Sequence, residues 1–245
     1  MRKYLIFLLV LFFAMIFSAN TYAQFGTETF KTSKGNLKMT FLGHGSLSFE
    51  FEGKNIYVDP DGDLEWTNLP KADMIMITHE HGDHLDLEIV KTLSKSSTVY
   101  LANANSANRL DKAKVLKNGD KTSELGLNIQ AVPAYNIKHM RGVNSPYHPK
   151  GTGNGYIITF GDKNVYVGGD TENIPEMKNL KDIEVAVLPM NLPYTMTPEM
   201  MADAARMFTP KYLYIYHYKG ADIDKLRELM KDVKGVELRV RDIYK

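Results

Sequence analysis

Residues 78–84 read Thr78-His79-Glu80-His81-Gly82-Asp83-His84, and this stretch decides the fold. It directly follows an apolar run at 74–77, which predicts a buried strand. Residues two apart in an extended segment point the same way, so His79 and His81 can hold one cation. If the chain turns into a helix near His84, then Asp83 and His84 face the other side and can hold a second. The spacing therefore suits two ions in one pocket.

The cluster as a whole, rather than any single histidine in it, indicates a metal site. A lone histidine near a strand end is commonly a surface or core residue without a ligand role. Four polar and chargeable groups packed together, however, cost free energy unless something neutralises them. We therefore predict that residues 79–84 bind divalent metal.

The composition bounds the class of protein. The chain has 245 residues, a formal charge of +1, 44% hydrophobic residues and 11% aromatic residues, which is enough for a packed core. No basic stripe interleaved with aromatic residues is present, so a nucleic-acid partner is not indicated. The chain has no cysteine, which rules out disulfides, thiolate zinc ligands and a lipidated cysteine at a cleavage site.

The first 23 residues have the pattern of a secretory signal. Met1, Arg2 and Lys3 form a basic start, residues 4–17 are apolar, and Ala23 ends a small polar stretch. This pattern predicts export to the periplasm or outside the cell, with no membrane span in the mature chain; an uncleaved anchor is the alternative. Residues 24–35 are expected to be a linker or an edge extension, and 36–245 one catalytic domain.

Hydrophobic patterning places strands and helices in alternation over that domain. Strands are expected at 38–42, 47–51, 56–58, 74–78, 99–102, 113–116, 127–134, 156–160, 165–168, 185–188, 212–216 and 236–240, and helices at 85–93, 198–208 and 222–233. The hairpin at 48–59 resembles the one at 156–170, and each ends near an aspartate, Asp59 or Asp170. This echo suggests two related halves that meet at a shared seam, although two amphipathic hairpins can resemble each other by chance.

The order of these markers resembles the metallo-β-lactamase superfamily. The pattern His79-x-His81-x-Asp83-His84 follows a strand, Asp59 precedes it, and Asp170 and His217 follow later strands. The stretch Phe41-Leu42-Gly43-His44-Gly45-Ser46 is similar to the branch that holds ascorbate-phosphate lactonases and N-acyl-phosphatidylethanolamine phospholipase D. The resemblance implies an α/β (α+β) fold, a four-layer αβ/βα sandwich of two mixed sheets flanked by helices, with metals at one edge.

The resemblance also implies a role for each matching residue. His79 and His81 would hold the first metal, the second would be held by Asp83, His84 and His217, and Asp170 would bridge both. The third ligand of the first metal departs from the family pattern; we favour His148, with His139, Asn136 or water as alternatives. Asp59 is expected to orient ligand histidines, and His44 to support the site or line its pocket.

Two divalent ions about 3.5–4 Å apart can supply a metal-bound hydroxide near neutral pH, with Asp83 orienting the attacking water. Zinc fits histidine-rich ligation best, while manganese or iron also suits mixed ligands. Tyr135, Asn191 and Tyr194 are candidate donors to a small-molecule substrate. We therefore expect an exported hydrolase of an ester, lactone or phosphodiester. A true β-lactamase is disfavoured by the missing cysteine and by Asp170.

Two other functions stay open at this point. A non-enzymatic metal-binding module is one. A di-iron redox protein on the same fold is the other, although those relatives carry glutamate where this chain has His81. The sequence does not indicate an oligomeric state.

Overall fold

The computed structural model describes residues 26–244, apart from 65 and 67. The expected signal segment at 1–23 lies outside the described residues. Among the described helices, none combines the length and apolar character that a bilayer crossing requires.

The first sheet has seven strands in chain order. They are β1 (Gly26–Thr32), β2 (Gly35–Gly43), β3 (Ser46–Phe51), β4 (Lys54–Val58), β5 (Met74–Ile77), β6 (Val99–Ala102) and β7 (Lys114–Val115). Neighbours from β1 to β4 are antiparallel, and those from β4 to β7 are parallel.

The second sheet repeats this plan with β8 (Lys121–Glu124), β9 (Leu127–Ala134), β12 (Gly153–Phe160), β13 (Lys163–Val167), β14 (Ile183–Pro189), β15 (Tyr212–Tyr216) and β16 (Glu237–Val240). Its first four strands are again antiparallel and the last four parallel. A separate hairpin of β10 (Met140–Gly142) and β11 (Ser145–Pro146) lies between β9 and β12 in the chain.

The helices within the described residues are α1 (Leu87–Leu93), α2 (Ala104–Ala107), α3 (Pro198–Phe208) and α4 (Ile223–Met230), with a 3-10 turn at Pro175–Asn179. Their starts follow from the sequence. The Asp86 side chain accepts from the backbone N–H of Ile89 at the start of α1. Thr197 caps α3 in the same way, with Pro198 as the first residue of the helix.

The buried apolar side chains form three hydrophobic cores, one between each pair of neighbouring layers. The central core joins the inner faces of the two sheets, where the rings of Phe49 and Phe160 lie 5.3 Å apart. A second core joins the outer face of the second sheet to α3 and α4. A third joins the outer face of the first sheet to α1. The order helix, sheet, sheet, helix confirms the predicted four-layer sandwich.

Residues 26–32 are not a linker. They form β1, which pairs with β2 from Gly26 opposite Phe41 to Thr32 opposite Gly35, so the fold begins before residue 36 and the alternative of an edge extension is correct. Only Phe30 of this strand is buried, and an edge strand with one buried residue has no hydrophobic pattern to detect. Strands β8, β10 and β11, helix α2 and the 3-10 turn were also not expected, because they are short and largely polar or exposed.

Candidate metal centre

The predicted ligands converge at the edge where strands of both sheets end. His79 and His81 follow β5, Asp170 follows β13, and His217 follows β15. His148 comes from the loop after β11. The carboxyl ends of neighbouring parallel strands meet at one sheet edge, so two facing sheets with the same plan bring these side chains together.

One group of donors consists of His79, His81 and His148. One ring nitrogen of each lies within 4.8 Å of the others. Nε2 of His79 is 3.1 Å from Nδ1 of His81, and the rings of His79 and His148 are centred 5.0 Å apart. The structure therefore brings together the three residues that the sequence analysis assigned to the first metal, while their ligand role stays a prediction.

A second group consists of His44, Asp83, His84 and His217, again with one donor atom each within 4.8 Å. Oδ2 of Asp83 lies 3.4 Å from Nε2 of His217 and 3.0 Å from Nε2 of His44. His44 was expected to support the site or line its pocket. Its ring nitrogen lies among the donors of this second group, and its contact with Asp83 is consistent with a supporting role.

Asp170 lies between the two groups. Its Oδ2 is 3.3 Å from Nε2 of His148 and 3.5 Å from Nε2 of His217. Its Oδ1 is 3.4 Å from Nε2 of His84. Gly169, which precedes it, has a φ of +63° and approaches so closely that an added Cβ would lie 2.7 Å from the carbonyl oxygen of Asn154. A carboxylate in this position can contact cations in both groups.

Several donor atoms at the centre are buried and have no hydrogen-bond partner. They are Nε2 of His84, Nε2 of His148, Nε2 of His217 and Oδ1 of Asp170. Buried polar atoms are nearly always paired, because desolvating an unpaired one costs about 1–3 kcal/mol. Four such atoms aimed at one space fit metal ions as the missing partners.

The opposite nitrogens of these rings are each occupied. Nδ1 of His84 lies 2.9 Å from Oδ2 of Asp59. Nδ1 of His148 lies 2.6 Å from Oδ1 of Asn136. Both oxygens are acceptors, so Nδ1 of each ring carries a proton and Nε2 is the nitrogen left for a metal; at His84 a bound cation would take the place of the second proton.

Asp59 is fully buried, and its carboxylate is bonded to several neighbouring groups. Besides His84, it accepts from the backbone N–H of Thr78 at 2.7 Å and from the Thr78 hydroxyl at 2.6 Å. Because that hydroxyl donates to Asp59, its oxygen is free to accept from Nδ1 of His79 at 3.0 Å. One carboxylate thereby contacts two of the clustered rings, one directly and one through Thr78.

The loop that carries His148 is anchored by a buried glutamate, Glu172. Its carboxylate accepts from the backbone N–H groups of Ile137, Lys138 and His139 at 2.7–2.8 Å. It also accepts from the amide of Asn136 at 3.1 Å, and the oxygen of that amide faces His148. Glu172 therefore holds Asn136, and through it the ring of His148.

The electrostatics of the centre favour positive charge. Burial lowers the pKa of His79 and His148, to about 4 for His148, so both rings are neutral near pH 7 with lone pairs available. Burial would also lower the pKa of His84, but Asp170 and Asp59 outweigh it and raise that pKa to about 10. Burial opposes ionisation of Asp170 as well, yet His217, His84 and the other rings hold its pKa far below the usual value.

The alternatives to His148, and the candidate substrate contact Tyr135, lie outside the groups of clustered donors. His139 is not among the clustered donors; its Nδ1 lies 2.8 Å from Glu172. Asn136 is not a ligand candidate either, because its oxygen is used by His148. Tyr135 is buried and its hydroxyl donates to Glu176 at 2.9 Å, so we withdraw it as a substrate contact. An aromatic residue after a strand can face the core as easily as the pocket, which the sequence does not resolve.

The side-chain amide of Asn191 lies 3.1 Å from Nδ1 of His217, so Asn191 positions a ring rather than lining open space. Tyr194 is 43% exposed, and its ring lies 5.0 Å from that of Tyr147, which lines the pocket around His79 and His148. Sequence reasoning missed Thr78, Tyr147 and Glu172. Only Thr78, adjacent to the motif, carried a signal that could have found it.

A cavity larger than the pocket around His79 and His148 lies elsewhere among the described residues. It has a volume of about 840 Å³ and lies on the outer face of the second sheet, beside the 3-10 turn. None of the clustered histidines or aspartates lines it. The donor geometry, rather than cavity size, therefore identifies the functional site.

Comparison with known proteins agrees with this geometry. Residues 38–217 match the model of a beta-lactamase superfamily domain. A UPF0173 metal-dependent hydrolase of Thermococcus onnurineus is 31% identical over 215 residues, covering 80% of this chain and 93% of its own. The crystal structure of a protein of Parabacteroides distasonis, named a metal-dependent hydrolase, is 49% identical with a TM-score of 0.85, covering 89% of this chain and 99% of that one.

A more distant likeness concerns the fold alone. The diiron beta-hydroxylase CmlA of Streptomyces venezuelae is 15% identical with a TM-score of 0.66, and the match covers 84% of this chain and 52% of that one. The matched domain, the two mixed sheets and the order of the clustered residues lead to one conclusion: this chain belongs to the metallo-β-lactamase superfamily.

Proposed function

We propose that this protein is an exported metal-dependent hydrolase that holds two divalent cations and acts on an ester, a lactone or a phosphodiester. The observation that carries the proposal is the set of buried, unpartnered donor atoms on His84, His148, His217 and Asp170, which point into one space. The names of the relatives support hydrolysis as the reaction class.

The donors divide into two sets. The first cation would be held by His79, His81 and His148, and the second by Asp83, His84 and His217, with His44 within reach. Asp170 would contact both, as its distances to His148, His217 and His84 allow. With both cations bound, these residues would hold a centre that could supply a hydroxide nucleophile near neutral pH and polarise a carbonyl or phosphoryl oxygen.

Asp83 is the residue of this centre best placed to act on water. Its side chain is 43% exposed, whereas that of Asp170 is 4% exposed. Partial burial opposes its ionisation, but hydrogen bonds with His217 and His44 hold its pKa far below the usual value. An ionised carboxylate at the mouth of the site accepts a hydrogen bond from the attacking water and orients it.

Zinc is the cation we expect first. Histidine donors dominate the set, and the chain has no cysteine to offer a thiolate. Imidazole also binds iron, and carboxylates such as Asp83 and Asp170 bind manganese. The cation that occupies the site would therefore depend on metal availability as well as on affinity.

The test begins with metal content. Elemental analysis of the purified protein should find two divalent ions per chain, and hydrolysis of bis(p-nitrophenyl) phosphate, p-nitrophenyl acetate and a γ-lactone should reveal turnover on at least one. Chelation should abolish that turnover and lower the melting temperature, because unbound ligands lose their partners. An unchanged melt after verified metal removal, or no bound metal at all, would reject the proposal.

His148 and His139 offer a matched pair for this test, since both are histidines of one loop. His148→Ala should lose one cation, whereas His139→Ala should keep both, because only His148 lies with His79 and His81. Two bound ions without turnover on the whole panel would favour a metal-binding module. An iron absorption spectrum in protein isolated from its host would favour a redox enzyme.

Export has its own measurement. Amino-terminal sequencing of protein secreted by, or extracted from the periplasm of, an expressing bacterium should begin at Gln24. An intact Met1 terminus on membrane-bound protein would instead support the uncleaved anchor.

A further inference from the structure

Among the described residues, the exposed large apolar side chains are concentrated in two loops. Seven such residues are exposed, and five of them belong to these loops. These five are Ile137, Met140, Val143, Leu192 and Tyr194, and we call them the apolar rim. Val143, at the tip of the β10–β11 hairpin, is 95% exposed. Single exposed apolar residues are ordinary, but a group of them marks a binding surface.

The apolar rim borders the metal centre. The backbone oxygen of Tyr194 accepts from the amide of Asn136, the residue that holds His148. Asn191, beside Leu192, contacts His217. The ring of Tyr147, in the first loop, lies 5.0 Å from that of Tyr194 in the second, and Tyr147 lines the pocket around His148. A substrate seated at the clustered donors therefore has this surface beside it.

Neither loop carries an acidic residue, and the first carries positive charge. Stretches 136–154 and 190–197 contain neither aspartate nor glutamate. The first stretch contains Lys138, Arg141 and Lys150, of which Lys150 is paired with Glu176 at 2.7 Å. The Arg141 guanidinium lies 5.8 Å from the centre of the Tyr147 ring, at the edge of the pocket. Apolar and cationic groups side by side complement a ligand that is itself apolar and anionic.

The base of this surface is fixed. Glu172 binds three consecutive backbone amides at the start of the first loop, as described above. The hairpin belongs to neither large sheet, so exposing Met140 and Val143 contributes nothing to either core. A preorganised apolar surface binds with less loss of entropy than a mobile one.

We propose that the apolar rim binds an alkyl or aryl tail of an anionic substrate whose reacting group lies at the metal centre. This inference rests on the proposed function only for the position of the reacting group. It narrows the substrate class to amphipathic anions.

The test compares two ligands with one head group, methylphosphonate and octylphosphonate, by calorimetry on the zinc-loaded protein. Octylphosphonate should bind at least about tenfold more tightly, because each methylene that leaves water favours binding. The double variant Val143→Ser with Leu192→Ser should reduce that preference to less than about threefold. The matched control Leu87→Ser with Val115→Ser, which changes two exposed residues outside the rim, should retain it in full.

Each outcome decides the inference. Equal affinity of the wild type for both phosphonates would overturn it, whether or not the protein hydrolyses anything. A retained preference in the Val143 and Leu192 double variant would overturn it too. Binding of the wild type, but not of that variant, to anionic phosphatidylglycerol vesicles would then show that the rim contacts a membrane. Absence of turnover combined with a rim-dependent preference would reject the hydrolase and leave the tail site standing.

Discussion

The two sheets share one plan and differ in what they contribute to the metal centre. Each has seven strands, with the first four antiparallel and the last four parallel. The first sheet places His79, His81, Asp83 and His84 after a single strand. The second supplies Asp170 and His217 from separate strand ends, and its extra hairpin leads to His148. The repeated strand plan thus creates the sheet edge at which the site lies. Residues after the strand ends and after the inserted hairpin supply the candidate metal ligands.

The sharpest contrast is between Asp59 and Asp170, which follow equivalent strands β4 and β13. Both are buried. Asp59 accepts hydrogen bonds from Thr78 and lies against His84, so its oxygens are satisfied. Oδ1 of Asp170 has no hydrogen-bond partner. The same strand end can therefore hold a ligand ring in place or leave a carboxylate open for a cation.

The largest effect should come from changing Asp170, the aspartate of this pair whose Oδ1 has no hydrogen-bond partner. Asp170→Asn removes the negative charge between the two donor groups, so metal content should fall from two ions per chain to one or fewer and kcat/KM by more than about a hundredfold. Elemental analysis and steady-state kinetics measure both. Asp162→Asn, at the exposed turn of the same hairpin, is the control. Retention of two ions would remove the bridging role from Asp170.

Asp59→Asn should have a smaller effect, because Asp59 acts through a histidine ring. An amide offers one oxygen where the carboxylate offers two. If the NH2 group takes the place of Oδ2, the Thr78 hydroxyl and His84 lose their acceptor; if it takes the place of Oδ1, the backbone N–H of Thr78 does. Metal affinity should fall about 10–100-fold while binding persists. Titration against a competing chelator measures this. Affinity equal to that of the wild type would contradict an orienting role.

Glu172→Gln tests the support of the His148 loop. Burial would raise the pKa of Glu172, but the amides of His139, Lys138 and Ile137 outweigh it and lower that pKa below 4.5. A folded-state pKa below the unfolded value stabilises the fold above about pH 4.5, and this stability is lost as pH falls through the folded value. The variant should cost about 2 kcal/mol near neutral pH, because hydrogen bonds to a charged group are lost.

Urea unfolding of both proteins from about pH 7 to pH 3 gives the comparison. The difference in free energy of unfolding should stay constant at the upper end and shrink in acid. A difference that does not change over this range would show that the charge of Glu172 contributes nothing to the loop.

The smallest effect should follow Tyr135→Phe. Its hydroxyl joins Glu176 and Lys150 at the outer side of the loop and does not line the pocket of His79 and His148. The variant should lose about 1 kcal/mol of stability and keep kcat and KM within about twofold. A tenfold rise in KM would reinstate Tyr135 as a substrate contact.

The sequence predicted best those features whose pattern lies within a short stretch of residues. The stretch 79–84 carries four donors in six residues, so the site was visible from the chain alone. The family, the sandwich and strands such as β9 and β15 were also predicted and are confirmed. Asp170 and His217 needed the family resemblance, because nothing local separates them from turn or strand residues.

What the sequence did not predict depends on contacts between distant segments. The hold of Glu172 on Asn136 spans 36 residues and leaves no periodic pattern. Polar edge strands such as β1 and β8 lack the alternation that identifies a half-buried strand. The prediction that Tyr135 contacts the substrate failed for the same reason. The hydroxyl of Tyr135 donates to Glu176, which lies 41 residues further along the chain.

The position of the β10–β11 hairpin outside both sheets has an evolutionary consequence. Insertions or replacements at its tip, around Val143, disturb no ladder hydrogen bond of either large sheet. Loops of this kind tolerate change far better than the elements that carry them. Mutations at a few positions of the hairpin tip could therefore change ligand preference during evolution, while the two large sheets stay unaltered.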